Sequence, residues 1–264
     1  MSTTGVAASR ALAANTLSII ETFGPDDWAA DTACHGWRVH DLITHMGFFF
    51  NFIADSTLVL PDNPSGKSER LNDAAVRERA DWTADQVVEY YRAQSEAGLA
   101  TLEALQGPDF TDATVDMLDL GTYRLAALAD AVAFDHLVHL TCDLLAPRGP
   151  IAGGDVDVAA AIDPAVDWMI AGLPQMCRVA LHPTLTEPIG LRLTGTTERT
   201  FVLDRGVDDT VVVTETGHLP ADVATTNAVD FLSWATTRTA WRSAVTVTGD
   251  RTLVSAVLDA VDVV

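Results

Sequence analysis

Four runs of helix length, each with one apolar seam, occupy roughly the first 145 residues of this chain. A seam of that kind has to be buried against others. The first run, about Val6–Phe23, carries Ala8, Leu12, Leu17, Ile20 and Phe23, and Gly24-Pro25 ends it. The second spans about Arg38–Ile53. The third opens at Thr83-Ala84-Asp85-Gln86, a capping-box pattern, and reaches about Leu105 with Val87, Val88, Tyr91, Leu99 and Leu102 on its seam. The fourth, about Tyr123–Leu145, is stopped by Pro147, Gly149 and Pro150. Asp26–Gly36 reads as an irregular connection anchored by Trp28, Pro61–Ser68 as loop, and Arg70–Ala80 as a short helix. The pattern predicts a four-helix bundle whose long connections leave room for a pocket rim at one end.

After Gly149-Pro150 the pattern changes. Asp163–Ala180 is still helical in period. Ile189–Leu193, Thr200–Leu203 and Thr210–Glu215 read as strands, with Asp208-Asp209 as a turn. Asn227–Thr236 reads as helix, Ala244–Val247 as strand and Arg251–Ala260 as a closing helix. The expected fold class is therefore α+β, a helical bundle over 1–150 and a smaller α+β domain over 151–264. The boundary can fall anywhere from 148 to 180, since Asp163–Ala180 suits either part.

Composition narrows the function classes. A formal charge of −21, from 37 acidic against 16 basic residues, argues against nucleic acid and against an anionic membrane surface as partners. Cys34, Cys142 and Cys177 are odd in number and far apart, which suits a reducing cytoplasm rather than a disulfide scaffold. Arg10, Asn15 and Glu21 interrupt the apolar N-terminal run, so a signal peptide is not expected, and no stretch is read as a membrane span. GxGxxG, GxxxxGK[ST] and GxSxG patterns do not occur.

Two segments carry chemistry. Cys34–Met46, CHGWRVHDLITHM, places His45 two turns into the second helix, on a side shared with Asp41, Leu42 and Phe49. Ala133–His139, AFDHLVH, places Asp135 and His139 four apart on one face of the fourth helix. Should His45 project to the same bundle end, two imidazoles and a carboxylate meet. That is a set for Zn²⁺ or a similar ion with positions left for water or substrate. An i,i+4 pair is common in any helix, so spacing alone favours a hydrogen-bonded structural pair over a metal site, and His136 is a competing ligand. Asp143 reads as a carboxylate behind His139 or, by default, a solvent-facing acid. Cys142 reads as a small hydrophobe or rim thiol, His35 and His40 as exposed or locally bonded, and Asp41 as a first-turn acid suited to the helix N-terminus.

Trp28 followed by CHGWRVHDLITH, then DHLVH ending at His139, then DFLSWATTR (230–238) and VTVTGD (245–250) together resemble a known family. It is that of the mycothiol-dependent enzymes typified by maleylpyruvate isomerase, within the DinB-like metal-binding bundle superfamily. The resemblance implies that residues 1–150 form the DinB-like bundle and that His45, Asp135 and His139 hold a divalent metal, usually zinc. It further implies mycothiol or another low-molecular-weight thiol, activated as thiolate toward a small electrophilic substrate, in an isomerase or S-transferase. Arg238 would receive a substrate carboxylate. A non-catalytic small-molecule or metal-binding protein on the same scaffold is the alternative. Three positions depart from the family pattern. Asp135 stands where Glu is usual, the continuation His-Leu-Thr-Cys-Asp-Leu is one residue longer than His-Gly-Trp-Asp-Leu, and Arg38 replaces a capping Thr.

Overall fold

Each apolar seam becomes a helix, and cap chemistry sets most of the ends. The computed structural model describes residues 1–154 and 156–263, and the chain divides into two units, Met1–Ala165 and Val166–Val264. In the first unit, α1 (Thr3–Ile20) starts where the Ser2 hydroxyl accepts from the Gly5 N–H at 3.2 Å. The connection expected to be irregular contains a short helix, α2 (Pro25–Ala29), whose buried Trp28 meets the Phe23 ring edge-on at 5.5 Å. Then follow α3 (Val39–Ala54), α4 (Ser68–Arg77) and α5 (Ala84–Ala104). Thr83 and Gln86 form the reciprocal box that opens α5.

α6 (Leu128–Val138) begins later than its seam suggested. Residues Thr122–Arg124 (β2) pair antiparallel with Thr114–Asp116 (β1) instead of entering the helix. Tyr123 is held there by its hydroxyl, which donates to the Leu120 carbonyl at 2.6 Å. At its other end α6 runs into a π turn, His139–Leu144, with i→i+5 geometry. The run Leu125–Leu144 is long and apolar enough to cross a membrane by length and composition, which corrects the expectation that no stretch is. Seventy-two per cent of that window is buried inside the protein, the pattern of a bundle's central helix.

The bundle core gathers Leu42, Ile43, Met46 and Phe50 of α3, Tyr91 and Leu102 of α5, and Leu140 and Leu144 of the π turn, all fully buried. α3 and α5 approach most closely through two glycines. A Cβ on Gly47 would stand 3.0 Å from the Tyr90 ring, and one on Gly98 only 2.5 Å from Phe50 Cδ1.

The division between the units falls inside α7 (Ala159–Met176), which α8 (Arg178–Thr184) follows after a break at Cys177. The second unit is built on a five-stranded sheet of order β5-β4-β3-β6-β7. Its strands are β3 (Ile189–Thr194), β4 (Arg199–Arg205), β5 (Val211–Glu215), β6 (Val223–Asn227) and β7 (Val245–Thr248), with α9 (Ala228–Trp234) and α10 (Arg251–Asp259) between and after the last two. All pairs are antiparallel except β3 with β6. Asp208 and Asp209 turn the chain between β4 and β5 with φ of 53° and 57°, a conformation Asp tolerates better than most residues. The structure is α+β as the sequence predicts, and the five-stranded sheet has one strand more than expected: β6 lies inside it, hydrogen-bonded on both sides. Its Thr-Thr-Asn end carries little hydrophobic pattern, and the two neighbouring ladders supply what the pattern lacks.

The tight α3–α5 crossing yields a test. Alanine is the better helix former by about 1 kcal/mol, yet Gly98→Ala forces a methyl into the Phe50 ring, and overpacking of this kind costs about 1–3 kcal/mol. Urea unfolding of Gly98→Ala should show a lower midpoint at unchanged slope.

Candidate metal centre

The loop before α3 is shaped to deliver side chains rather than merely to connect. An isolated bridge pairs Asp31 with Arg38, and the Trp37 N–H donates to the Cys34 carbonyl at 3.0 Å. Gly36, at φ +85°, takes the third place of that turn, where a side chain would be strained. The Ala33 N–H donates to the Asp143 carbonyl at 3.1 Å, fastening the loop to the π turn. Arg38 offers α3 no side-chain cap. Asp41 compensates, accepting from the Arg38 N–H at 2.9 Å and from its Nε at 3.3 Å. Burial works to raise the Asp41 pKa, but hydrogen bonds from His40 and Arg38 outweigh it and hold the group at about 2. His40 is buried, with Nε2 at 3.0 Å from the Trp82 carbonyl, while His35 is exposed.

One turn beyond Asp41, His45 reaches α6. Its Nε2 lies 3.2 Å from Asp135 Oδ1, and His139 Nε2 lies 3.5 Å from the same oxygen. The side chains of His45, Asp135 and His139 are only 6, 13 and 11 per cent exposed. One ligand atom from each falls within 4.8 Å of the others. Bonds of about 2.0–2.2 Å to a tetrahedral ion would put neighbouring ligand atoms about 3.3–3.6 Å apart, close to the two separations found. His45 Nδ1 and Asp135 Oδ2 are buried and have no hydrogen-bond partner among the described residues. The nearest donor to that carboxylate oxygen is His136 Nδ1 at 3.3 Å, out of hydrogen-bond alignment, and an acid closed into its network so loosely suits a cation. The residues present therefore fit a divalent ion.

The electrostatics of the trio are set by one carboxylate serving two imidazoles. Burial works to raise Asp135, but the charges of His139 and His45 outweigh it and hold it well below the usual carboxylate range. Burial likewise works against a charged His139, yet Asp135 and then Asp143 push its pKa well above the ordinary value. For His45 burial wins over Asp135, and its pKa is lowered. The higher proton affinity therefore falls on His139, which has a second carboxylate, and the lower on His45.

Asp143 is that second carboxylate. It is not the solvent-facing acid of the default reading: it is 1 per cent exposed and accepts from His139 Nδ1 at 2.8 Å. Such a contact fixes the tautomer that leaves Nε2 bare for a cation. The π turn brings the two together, and it lies where the sequence is one residue longer than the family continuation. Cys34 was not singled out as a site residue from sequence. Its Sγ lies 3.7 Å from the same Nδ1, and it forms a second cluster with His139 and Asp143. The signal that could have found it is its place three residues before Trp37, which leans on the His45 ring at 4.9 Å.

His136 is fully buried against Phe50 and Tyr91, ring centroids 4.9 and 5.9 Å away, and stands outside the trio. Cys142 is buried. Arg238 lies in the second unit, half-buried, its backbone N–H bonded to the Ser233 carbonyl at 3.0 Å.

Comparisons with known proteins are few and consistent. The model of the mycothiol maleylpyruvate isomerase N-terminal domain family matches residues 9–141. A crystal structure of the mycothiol-dependent maleylpyruvate isomerase is similar with a TM-score of 0.57 at 12% identity, covering 92% of this chain and 91% of that one. A histidine-to-alanine mutant of that enzyme gives a TM-score of 0.55 with the same identity and coverage. At such identity the likeness shows the fold. No curated protein matches the chain.

Two measurements follow from the trio. A ligand imidazole must offer a bare Nε2, so zinc uptake near neutral pH should release about one proton from His139 and tighten about tenfold per pH unit below that group's pKa. Calorimetry in buffers of different ionisation enthalpy reads the proton directly. Asp143→Asn should weaken zinc binding about 10–100-fold in chelator competition.

Proposed function

This chain belongs to the mycothiol maleylpyruvate isomerase N-terminal domain family, and from that premise we propose a metal- and thiol-dependent isomerase or S-transferase acting on a small electrophile. The observation that carries the reading is a nearly buried Asp135 oxygen set between two imidazole Nε2 atoms, at 3.2 and 3.5 Å, with one ligand atom from each of the three residues within 4.8 Å of the others. His45, Asp135 and His139 would hold the ion, and the mixed nitrogen and oxygen set suits zinc while leaving a position open. When bound, the ion would stabilise the thiolate of mycothiol or another low-molecular-weight thiol near neutral pH, ready to add to an activated carbon of the substrate.

The chain's own residues do the rest. Asp143 holds the His139 ring in the tautomer whose Nε2 faces Asp135. Trp37 covers one side of His45 and limits water there. Arg238 would take a carboxylate of the substrate through its planar fork of donors. Asp135, one methylene shorter than the Glu of the family pattern, would still supply the carboxylate ligand from α6. The acidic chain suits a cytoplasmic enzyme with a small-molecule substrate, and neither nucleic acid nor membrane enters the reading.

Metal analysis decides first. Wild-type protein should purify with about one equivalent of zinc, and His45→Ala with less than a tenth of that. Unchanged zinc in the variant sinks the ligand set. Zinc-loaded protein should then couple mycothiol to, or isomerise, an electrophile such as maleylpyruvate, with loss of that turnover in His45→Ala. Zinc-loaded protein that retains the thiol without turnover would be a binding protein on this scaffold.

A further inference from the structure

Beside the trio, within the first unit, lies an open groove of about 510 Å³ lined by Trp37, Arg38, Asp41, Arg70, Asp73 and Arg77, among others. Volumes of this order hold small-molecule ligands. Three of the chain's 16 basic residues meet here, in a protein of net charge −21. Arg70 and Arg77 stand two turns apart on α4, and both reach Asp73 between them, at 3.1 and 3.4 Å. Arg38 reaches Asp41 at 3.3 Å. Three guanidiniums against two carboxylates leave the lining positive.

The arrangement in depth matters more than the count. The arginine side chains are 47, 66 and 71 per cent exposed, and their carboxylate partners Asp41 and Asp73 only 10 and 28 per cent. The acids sit underneath and brace the guanidiniums, so a ligand entering from solvent meets the positive layer first. Each contact above engages one nitrogen of a guanidinium that carries about five N–H donors. Trp37 ties this groove to the trio. Its indole N–H donates to Asp73 at 3.1 Å, and its ring lies 4.9 Å from that of His45. With Val76 and Ala80 it also gives the groove an apolar wall.

We propose that this groove is a carboxylate-binding subsite. Arg70 and Arg77, with Arg38 at the rim, hold an anionic group of the small molecule while its apolar part runs along Trp37 toward His45. The proposal rests on the reading of the trio as a metal site for small-molecule chemistry only in the direction it gives the ligand; the anion site itself stands on the groove.

Succinate is the probe, with its uncharged diamide succinamide as control, titrated into the zinc-loaded full chain by calorimetry. Succinate should bind with a millimolar Kd and succinamide should not. The exposed double variant Arg70→Gln/Arg77→Gln should bind succinate at least tenfold more weakly with zinc content unchanged, whereas Arg192→Gln, on the exposed side of β3, should bind it as wild type does. Equal affinity in the double variant, equal binding of succinamide, or no succinate binding at all overturns the proposal. Inorganic phosphate binding tenfold tighter than succinate overturns the carboxylate assignment. His45→Ala separates the two readings: succinate binding retained with zinc lost supports both. Succinate binding retained with zinc also retained supports the groove and removes the metal reading. Loss of succinate binding in His45→Ala, with fold intact by circular dichroism, overturns the groove's independence of the trio and with it the proposal.

Discussion

A single buried carboxylate, Asp135, is the point on which the first unit turns. An ionised acid at 13 per cent side-chain exposure is tolerable only with close positive or proton-donating partners. It finds them on its own helix, in His139, and on α3, in His45. The contact therefore ties the two helices at one end of the bundle, while Gly47 and Gly98 bring α3 against α5 further along. Packing sets where the imidazoles stand, and the shared carboxylate draws them to one oxygen.

The surroundings of the trio are held by backbone as well as side-chain contacts. The turn at Gly36 and the Ala33–Asp143 hydrogen bond fasten the loop before α3 to the π turn after α6. Cys34, Trp37 and Asp143 reach the cluster through that fastening. The wider helical turn over His-Leu-Thr-Cys-Asp-Leu places Asp143 behind His139 and Leu140 and Leu144 in the core. Trp37 then serves as the shared wall between a low-dielectric trio and a wet, arginine-lined groove. Charge is concentrated on the two sides of one indole.

Legibility followed the reach of the physical signal. Helix seams and caps are local, so α1, α3, α5 and α10 fall within a few residues of where periodicity and capping residues put them. β6 was invisible because its stability comes from ladders on both edges, not from its own Val-Ala-Thr-Thr-Asn. The late start of α6 was hidden for the same reason: the pairing of β1 with β2 draws Tyr123 away from a helical pattern that would otherwise include it. Spacing could put Asp135 and His139 on one face, but Asp143 read equally well as a surface acid until the π turn folded it inward.

By itself the sequence determined the fold class, the four apolar seams, and the pair Asp135 and His139 on one helical face, since each depends on residues within a few turns of one another. Only the tertiary structure decided that His45 shares an oxygen of Asp135 with His139, that Cys34 and Asp143 stand behind His139, and that Arg38, Arg70 and Arg77 face one groove. Those contacts join segments tens of residues apart. Their distances are fixed by how helices cross and loops are pinned, which no local period records.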